Sequence, residues 1–333
     1  MLLKNGSIRI LLAIVIACAL PFILRTDYNR SLLVLTVIFA IFTLSLDIII
    51  SGMGQFSFGH QALFAIGGYA TGILTVHTGV SPFLGLLLAP IVSGIAGLFI
   101  GYVALRSTRG VYLAIITLGF TVILETLASY RNFRTFTGGT AGISQIPPPV
   151  IQLPGISHIV IKSETSYYYL ALICLLLVIF IISRWQRSRF GRAVAALREN
   201  ENLAKSIGIS PVKLYTMAFV LASAIAGLAG ALSAHYSHYV YPGLFDMNYI
   251  LMPLVMLFVG GPGTFIGPIL GSAIFTFGSM PASSEISLLI FGIILLLFIR
   301  FMPHGVYSYL KLGIRSLFER YVQGKNKERA EVI

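Results

Sequence analysis

The sequence predicts an all-α protein, a polytopic transmembrane helical bundle of about ten spans with some helices broken or re-entrant at glycine-rich stretches. Three observations predict it. First, 57% of the 333 residues are hydrophobic and only 10% are charged. Ordinary soluble domains carry about 25% charged residues, so a water-facing surface of this size cannot be covered. Second, long apolar runs recur, such as 31–46 (SLLVLTVIFAIFTLSL) and 169–183 (YLALICLLLVIFIIS). A helix needs about 20 mostly apolar residues to cross the hydrocarbon layer. Third, the net charge of +12 is clustered rather than spread. Residues 184–213 carry seven Lys/Arg and 300–333 carry seven more, beside apolar runs. That is the positive-inside pattern, not a nucleic-acid footprint.

The expected spans are 9–24, 31–50, 56–77, 82–105, 111–130, 167–183, 213–234, 247–260, 263–280 and 286–302. Lys4 and Arg9 followed by Ile10–Leu24 resemble a signal peptide, but no small-x-small cleavage site follows, so this is a retained first helix. Ten crossings put both termini on one side. With the N-terminus inside, 18 basic residues fall on the cytoplasmic side and 5 outside, which sets the orientation. Between spans lie an outer loop, 131–166, whose "TGGTAGISQIPPPVIQLPG" is too rich in Gly and Pro for a helix, and an inner loop, 184–212. A cytoplasmic tail, 303–333, completes a single membrane domain, 1–333. Small-xxx-small pairs at Gly68/Gly72, Gly97/Gly101 and Gly267/Gly271 permit close helix approach. Glycine is densest in 51–72 and 260–271, where broken helices are expected, as transporters place such breaks in two halves. Pro253 should kink its span.

Several chemistries are missing from the chain. It contains no G-x-x-x-x-G-K-[S/T] phosphate loop, so it has no ATPase of the usual kind. It has no H-E-x-x-H and no nucleophile elbow. Cys18 and Cys174 sit inside apolar runs as small core residues, so no metal or disulfide is indicated. His235 and His238 share a helix face at most for packing. Among the acids, Asp47, Asp246 and Glu285 lie at or near span ends, while Glu125 lies about two-thirds through its span. A deep acid would suit an ion-coupled carrier; the alternative is an outer-interface residue beside Arg131 and Arg134.

The stretch "FGRAVAALRENENLAKSIGI" (190–209) breaks the membrane pattern. On a helix at 100° per residue, Ala193, Ala196, Leu197, Leu203, Ala204 and Ile207 fall on one face. Arg198, Glu199, Asn202 and Lys205 fall on the other, and Gly208 ends the helix. Lying flat on lipid is one reading, and Arg187, Arg189 and Arg192 fit it. An alanine face, however, has little lipid affinity and suits close packing in a protein groove. A short charged helix with a glycine after it, on the cytoplasmic side of a transporter without its own ATPase, is what an ATPase-docking element should look like.

At this point the segment 189–232, "RFGRAVAALRENENLAKSIGISPVKLYTMAFVLASAIAGLAGAL", resembles the permease subunits of branched-chain amino acid ABC importers, the LivM-type membrane component. Glu201, Ala204 and Gly208 stand at the acid, alanine and glycine positions of that family's coupling loop. "GQFSFGHQALFAIGGYA" (54–70), "LRSTRGVYLAIITLGF" (105–120), "TGGTAGISQIPPP" (137–149), "GGPGTFIGPILGSAI" (260–274) and "FMPHGVYS" (301–308) resemble other family motifs, in order. The resemblance covers 30–310. It implies an inner-membrane protein of a prokaryote that binds no cofactor itself, with ATP and magnesium on partner subunits. The implied partners are a second, related permease, two ABC ATPases, an extracytoplasmic solute-binding protein and the bilayer. The coupling residues it implies are Arg192, Leu197, Arg198, Glu199, Glu201, Ala204 and Gly208. Gly59, His60, Gly67, Gly68 and Tyr69 are expected to shape a first broken helix of the translocation pathway. Thr117 and Glu125 would line it on the fifth span, and Gly260, Gly261, Gly263 and Gly267 would form the counterpart in the second half. The acid after "TLGF" comes late, at Glu125, and related permeases carry urea or short amides. Those solutes, and a carrier driven through Glu125, are the alternatives to branched-chain amino acids.

Overall fold

A computed structural model describes residues 14–24, 26–151, 159–161, 163–279, 292–293, 296–297, 300 and 305–309. Helices follow the apolar runs, as a backbone without water must satisfy its own hydrogen bonds. In order they are α1 (Ile14–Ile23), α2 (Asp27–Asp47), α3 (His60–Val76), α4 (Pro82–Ser107), α5 (Val111–Ser129) and the one-turn α6 (Arg134–Thr137). Then come α7 (Glu164–Arg187), α8 (Arg189–Glu199), α9 (Glu201–Ser206), α10 (Pro211–Ser237), α11 (Met247–Gly260) and α12 (Ile266–Ser279). Four two-residue strands make two small antiparallel pairs. β1 (Ile143–Ser144) joins β4 (Tyr239–Val240), and β2 (Val150–Ile151) joins β3 (Ile159–Val160).

Local signals set several boundaries. Ser81 caps α4, its hydroxyl accepting from the Leu84 N–H, and Pro82 fills a position whose N–H has no helical partner. Pro211 opens α10 in the same way. α2 ends in a π turn, Ile48–Gly52, rather than a simple stop. Such turns mark functional sites more often than chance.

Among the described residues, five helices are long and apolar enough to cross a membrane: α2 with its π turn, α4, α5, α7 and α10. α1, α3, α11 and α12 are shorter. The last expected span, 286–302, lies almost wholly outside the described residues, as do Lys4, Arg9 and most of the tail.

α10 is the hub of the bundle, and it packs on α3 and α4 through glycine. A side chain at Gly67 would collide with the Gly227 carbonyl, and one at Gly230 with the Phe64 carbonyl. A side chain at Gly97 would meet Ser223. The Ser93 hydroxyl sits where these helices meet, 2.7 Å from the Leu63 carbonyl and 2.9 Å from that of Ser223. Here one expectation is corrected. Gly67, Gly68 and Gly72 do not break a helix; α3 runs through all of them. At Gly67 and Gly68 the missing side chain lets the α10 backbone approach, the close approach expected of the Gly68/Gly72 pair, and at Gly72 it makes room for the side chains of Ile143, Ile146 and Val240. The break lies earlier, at 54–59, between the π turn and α3. The break expected near 260–271 is present as the turn 261–265 between α11 and α12.

The described residues of the outer loop, 131–151 and 159–161, are tied to the far end of α10. Apart from the β1–β4 pair, His235 Nδ1 lies 2.7 Å from the Pro147 carbonyl and His238 Nδ1 lies 2.7 Å from that of Ile146. The two histidines do not share a helix face, because His238 takes the left-handed conformation that ends α10. α8 and α9 precede the start of α10. A helix of 27 residues is about 40 Å long, so the β1–β4 loop and the α8–α9 pair lie at opposite ends of the bundle.

Candidate functional site

The α8–α9 pair is an elbow rather than one rod. Asn200 leaves helical geometry (φ −155°, ψ 100°) and its side chain caps α9, accepting from the Leu203 N–H at 3.0 Å. This breaks the single helix expected over 190–209 and changes its faces. Gly191, Val194, Leu197 and Ala204 are buried, while Ala196 is exposed and Leu203 and Ile207 are 64% and 70% exposed. The expected apolar face is thus split: half packs on the bundle, and half points away from it. Gly208 ends the elbow in the left-handed region (φ +83°), with open space where a β-carbon would sit.

Each arm has its own tether. On α8, the exposed Arg198 guanidinium donates to the Ser51 carbonyl in the π turn of α2. Its aliphatic stem runs along Gly54, where a side chain would lie 3.1 Å from Arg198 Cγ. Next to it, Asp47 is only 8% exposed. Its carboxylate accepts from the Ser51 hydroxyl and, at 2.9 Å, from the Gly263 N–H in the α11–α12 turn. One turn of chain therefore joins α2, α8 and the α11–α12 hairpin. A cavity of about 270 Å³ lies beneath α8 here, with Asp47, Trp185, Ala195, Arg198 and Thr264 in its walls.

On α9, Glu201 lies 2.8 Å from Lys205 and 3.5 Å from Arg109 in the link between α4 and α5. The Arg109 guanidinium also covers the Tyr215 ring of α10 at 5.2 Å. The Gly110 N–H of the same link donates to Gln55 at 2.7 Å, closing the circuit back to the stretch after the π turn. The Arg192 guanidinium, by contrast, donates to the Arg187 carbonyl of α7. Glu199 is exposed at the rim of the cavity.

The residues expected along the pathway fall in separate places. Gly59, His60 and Thr117 meet: a side chain at Gly59 would strike the Thr117 backbone, and Thr117 Oγ1 accepts from the Phe58 N–H at 3.2 Å. His60 is fully buried, stacked on Phe42, with Nε2 2.8 Å from Ser45 Oγ. The Ser45 hydroxyl also lies 2.5 Å from the Phe42 carbonyl, and His60 Nδ1 has no partner among the described residues. Tyr69 stacks on Phe245, its buried hydroxyl also unpartnered. Gly260, Gly261, Gly263 and Gly267 close the α11–α12 turn, and Gly305 packs against Gly261. Glu125 stands apart from all of these. It is half-buried on α5, the least buried of the long helices, and it forms no ion pair among the described residues. Asp47, which the sequence placed near a span end, is indeed the last residue of α2, and it is also the acid at the centre of the site. No local signal marked it; its meaning comes from Gly263, 216 residues away.

A family model described as "Branched-chain amino acid transport system / permease component" matches residues 29–299. The chain belongs to this permease family. It is 32% identical over 313 residues to the high-affinity branched-chain amino acid transport system permease protein LivM of Salmonella typhimurium, covering 88% of this chain and 73% of that protein. The LivM of Escherichia coli K12 is 31% identical over the same shares. The permease protein LivH of Escherichia coli K12 is 22% identical over 290 residues, 80% of this chain and 90% of LivH. No solved structure matches significantly. As a permease component and multi-pass membrane protein, the chain places its elbow, its π turn and its glycine hairpin all within the family match.

Proposed function

We propose that this permease component is one of two membrane subunits of an ABC importer for branched-chain or similar small amino acids. Separate ATPase subunits drive it, and an extracytoplasmic solute-binding protein feeds it. The observation that carries the reading is the elbow: two short helices, tethered to different parts of the bundle, presenting Leu203 and Ile207 outward. An apolar pair on a charged, protruding element fits a groove in a partner protein. The chain has no phosphate loop, so the motor is another subunit.

Escherichia coli K12 has both a LivM and a LivH similar to this chain, which supports a second permease of related sequence as the partner. The charge bias supports termini and elbow on the cytoplasmic side, and the bacterial relatives support a prokaryotic inner membrane. The 131–166 loop, at the opposite end of α10, then faces the binding protein. In the transport cycle, ATP binding closes the ATPase pair, the elbow moves with it, and the permease halves rock between outward- and inward-facing states. His60, Gln61 and Tyr69, with buried polar atoms that lack partners, suit a route that is closed in this conformation. The whole chain, 1–333, acts as a single membrane domain.

Replacing Glu201 with Ala and Gly208 with Val tests this in the reconstituted complex. Solute-stimulated ATPase activity and uptake should both fall; wild-type values for both would defeat the assignment. An ion-driven carrier is the rival reading. Uptake by vesicles holding this chain alone, under a proton or sodium gradient, would establish that rival.

A further inference from the structure

We propose that Asp47, Ser51, Gly263 and Arg198 form the joint through which the elbow moves the transmembrane helices, with Asp47 as its positioning residue. The proposal rests on the reading above, in which an ATPase pushes the elbow.

Geometry carries it. Arg198 is fixed to the Ser51 carbonyl, so a displacement of α8 pulls directly on the π turn. That turn is a weak point of α2, because a π turn interrupts the regular i→i−4 ladder. Asp47 binds the turn through Ser51 and the hairpin through Gly263. The pull therefore reaches α2 and the α11–α12 hairpin together. The cavity under α8 gives the helix room to tilt without first expelling packed side chains. On α9, the Glu201–Arg109 pair reaches the α4–α5 link instead. The two arms thus act on different helices, and the break at Asn200 lets them move unequally.

The hydrogen bonds matter here, rather than the bare charge. Asn at position 47 keeps an oxygen that can accept from both Ser51 and Gly263. Leu has a similarly branched side chain, though a larger one, and accepts from neither. The full complex, in proteoliposomes with its binding protein, is assayed for solute moved per ATP hydrolysed. That ratio does not depend on how much complex folds. Asp47→Asn should stay within about twofold of wild type, and Asp47→Leu should fall by about tenfold, in the range of ordinary coupling energies. Arg198→Ala should uncouple to a similar degree. Asp47→Leu/Arg198→Ala should be no worse than either alone, as both act through one turn.

A covalent bridge gives a second test. A Cβ at Gly263 would lie 3.7 Å from Ser51 Cβ, within disulfide reach. In Asp47→Leu/Ser51→Cys/Gly263→Cys, oxidation should restore the ratio several-fold and reduction should remove it. This compares one protein with itself, so a loss of folding cannot imitate it. A wild-type ratio in Asp47→Leu and Arg198→Ala, or no difference between the oxidised and reduced triple variant, overturns the joint and leaves the importer reading standing. A wild-type chain that binds no ATPase overturns both.

Discussion

Asp47 and His60 are buried polar groups of opposite kinds, and substitution separates them. Asp47 has its hydrogen bonds made, to Ser51 and Gly263. His60 has one nitrogen satisfied by Ser45 and one left over. Removing one member of a buried pair costs more than removing both, about 1–3 kcal/mol for the orphaned group. Ser45→Ala should therefore lower the thermal midpoint of the purified permease, and Ser45→Ala/His60→Leu should recover most of the loss. A double variant as unstable as the sum of the singles would contradict the pairing. His60 stood out in the sequence because a histidine inside an apolar run is rare. Its partner did not, because serine is common and Ser45 lies on another helix.

Helices in this bundle are joined by backbone contact as much as by side chains. α3 and α10 touch at Gly67–Gly227 and Gly230–Phe64, where a β-carbon has no space. At Gly68 the nearest atoms to an added β-carbon, the Gly230 oxygen and Val240 Cγ2, lie at 3.3 Å. Gly67→Ala should thus abolish monodisperse protein in detergent chromatography. Gly68→Ala should be tolerated with a small loss, while Gly68→Leu should fail. Equal tolerance of Gly67→Ala and Gly68→Ala would refute the packing. The sequence marked Gly68 and Gly72 for close helix approach, yet also placed Gly67 and Gly68 in a broken helix. Composition gives the density of glycine in a stretch. It does not tell whether the chain bends there or another chain comes close. The α8–α9 elbow has the same lesson. Its amphipathic period was legible, yet Asn200 is equally at home in a helix surface or at a cap, and only the Leu203 bond decides for the cap.

For the whole molecule, the outward half of the elbow should carry assembly. Leu203→Asp/Ile207→Asp should leave the permease stable, since both side chains are largely exposed, and should abolish co-purification of the ATPase subunits. ATPases retained at wild-type levels on the double variant would place the docking surface elsewhere. The two ends of α10 separate the tasks: one end holds the elbow, the other the β1–β4 loop. Motion at one must cross the bilayer to matter at the other, and the glycine-packed α3–α4–α10 core is stiff enough to carry it.

From sequence alone came the membrane class, the order of the spans, the positive-inside bias and the position of the elbow. These follow from composition, run length and period, which are properties of neighbouring residues. Tertiary structure alone decided that Asp47, at the end of its helix, is also tied to the α11–α12 turn, that Gly67 is a contact rather than a hinge, and that the elbow's two arms hold different helices. Each depends on groups far apart in the chain, Asp47 with Gly263, Gly67 with Gly227, Glu201 with Arg109. No local pattern encodes such a meeting, because it is set by how whole helices pack.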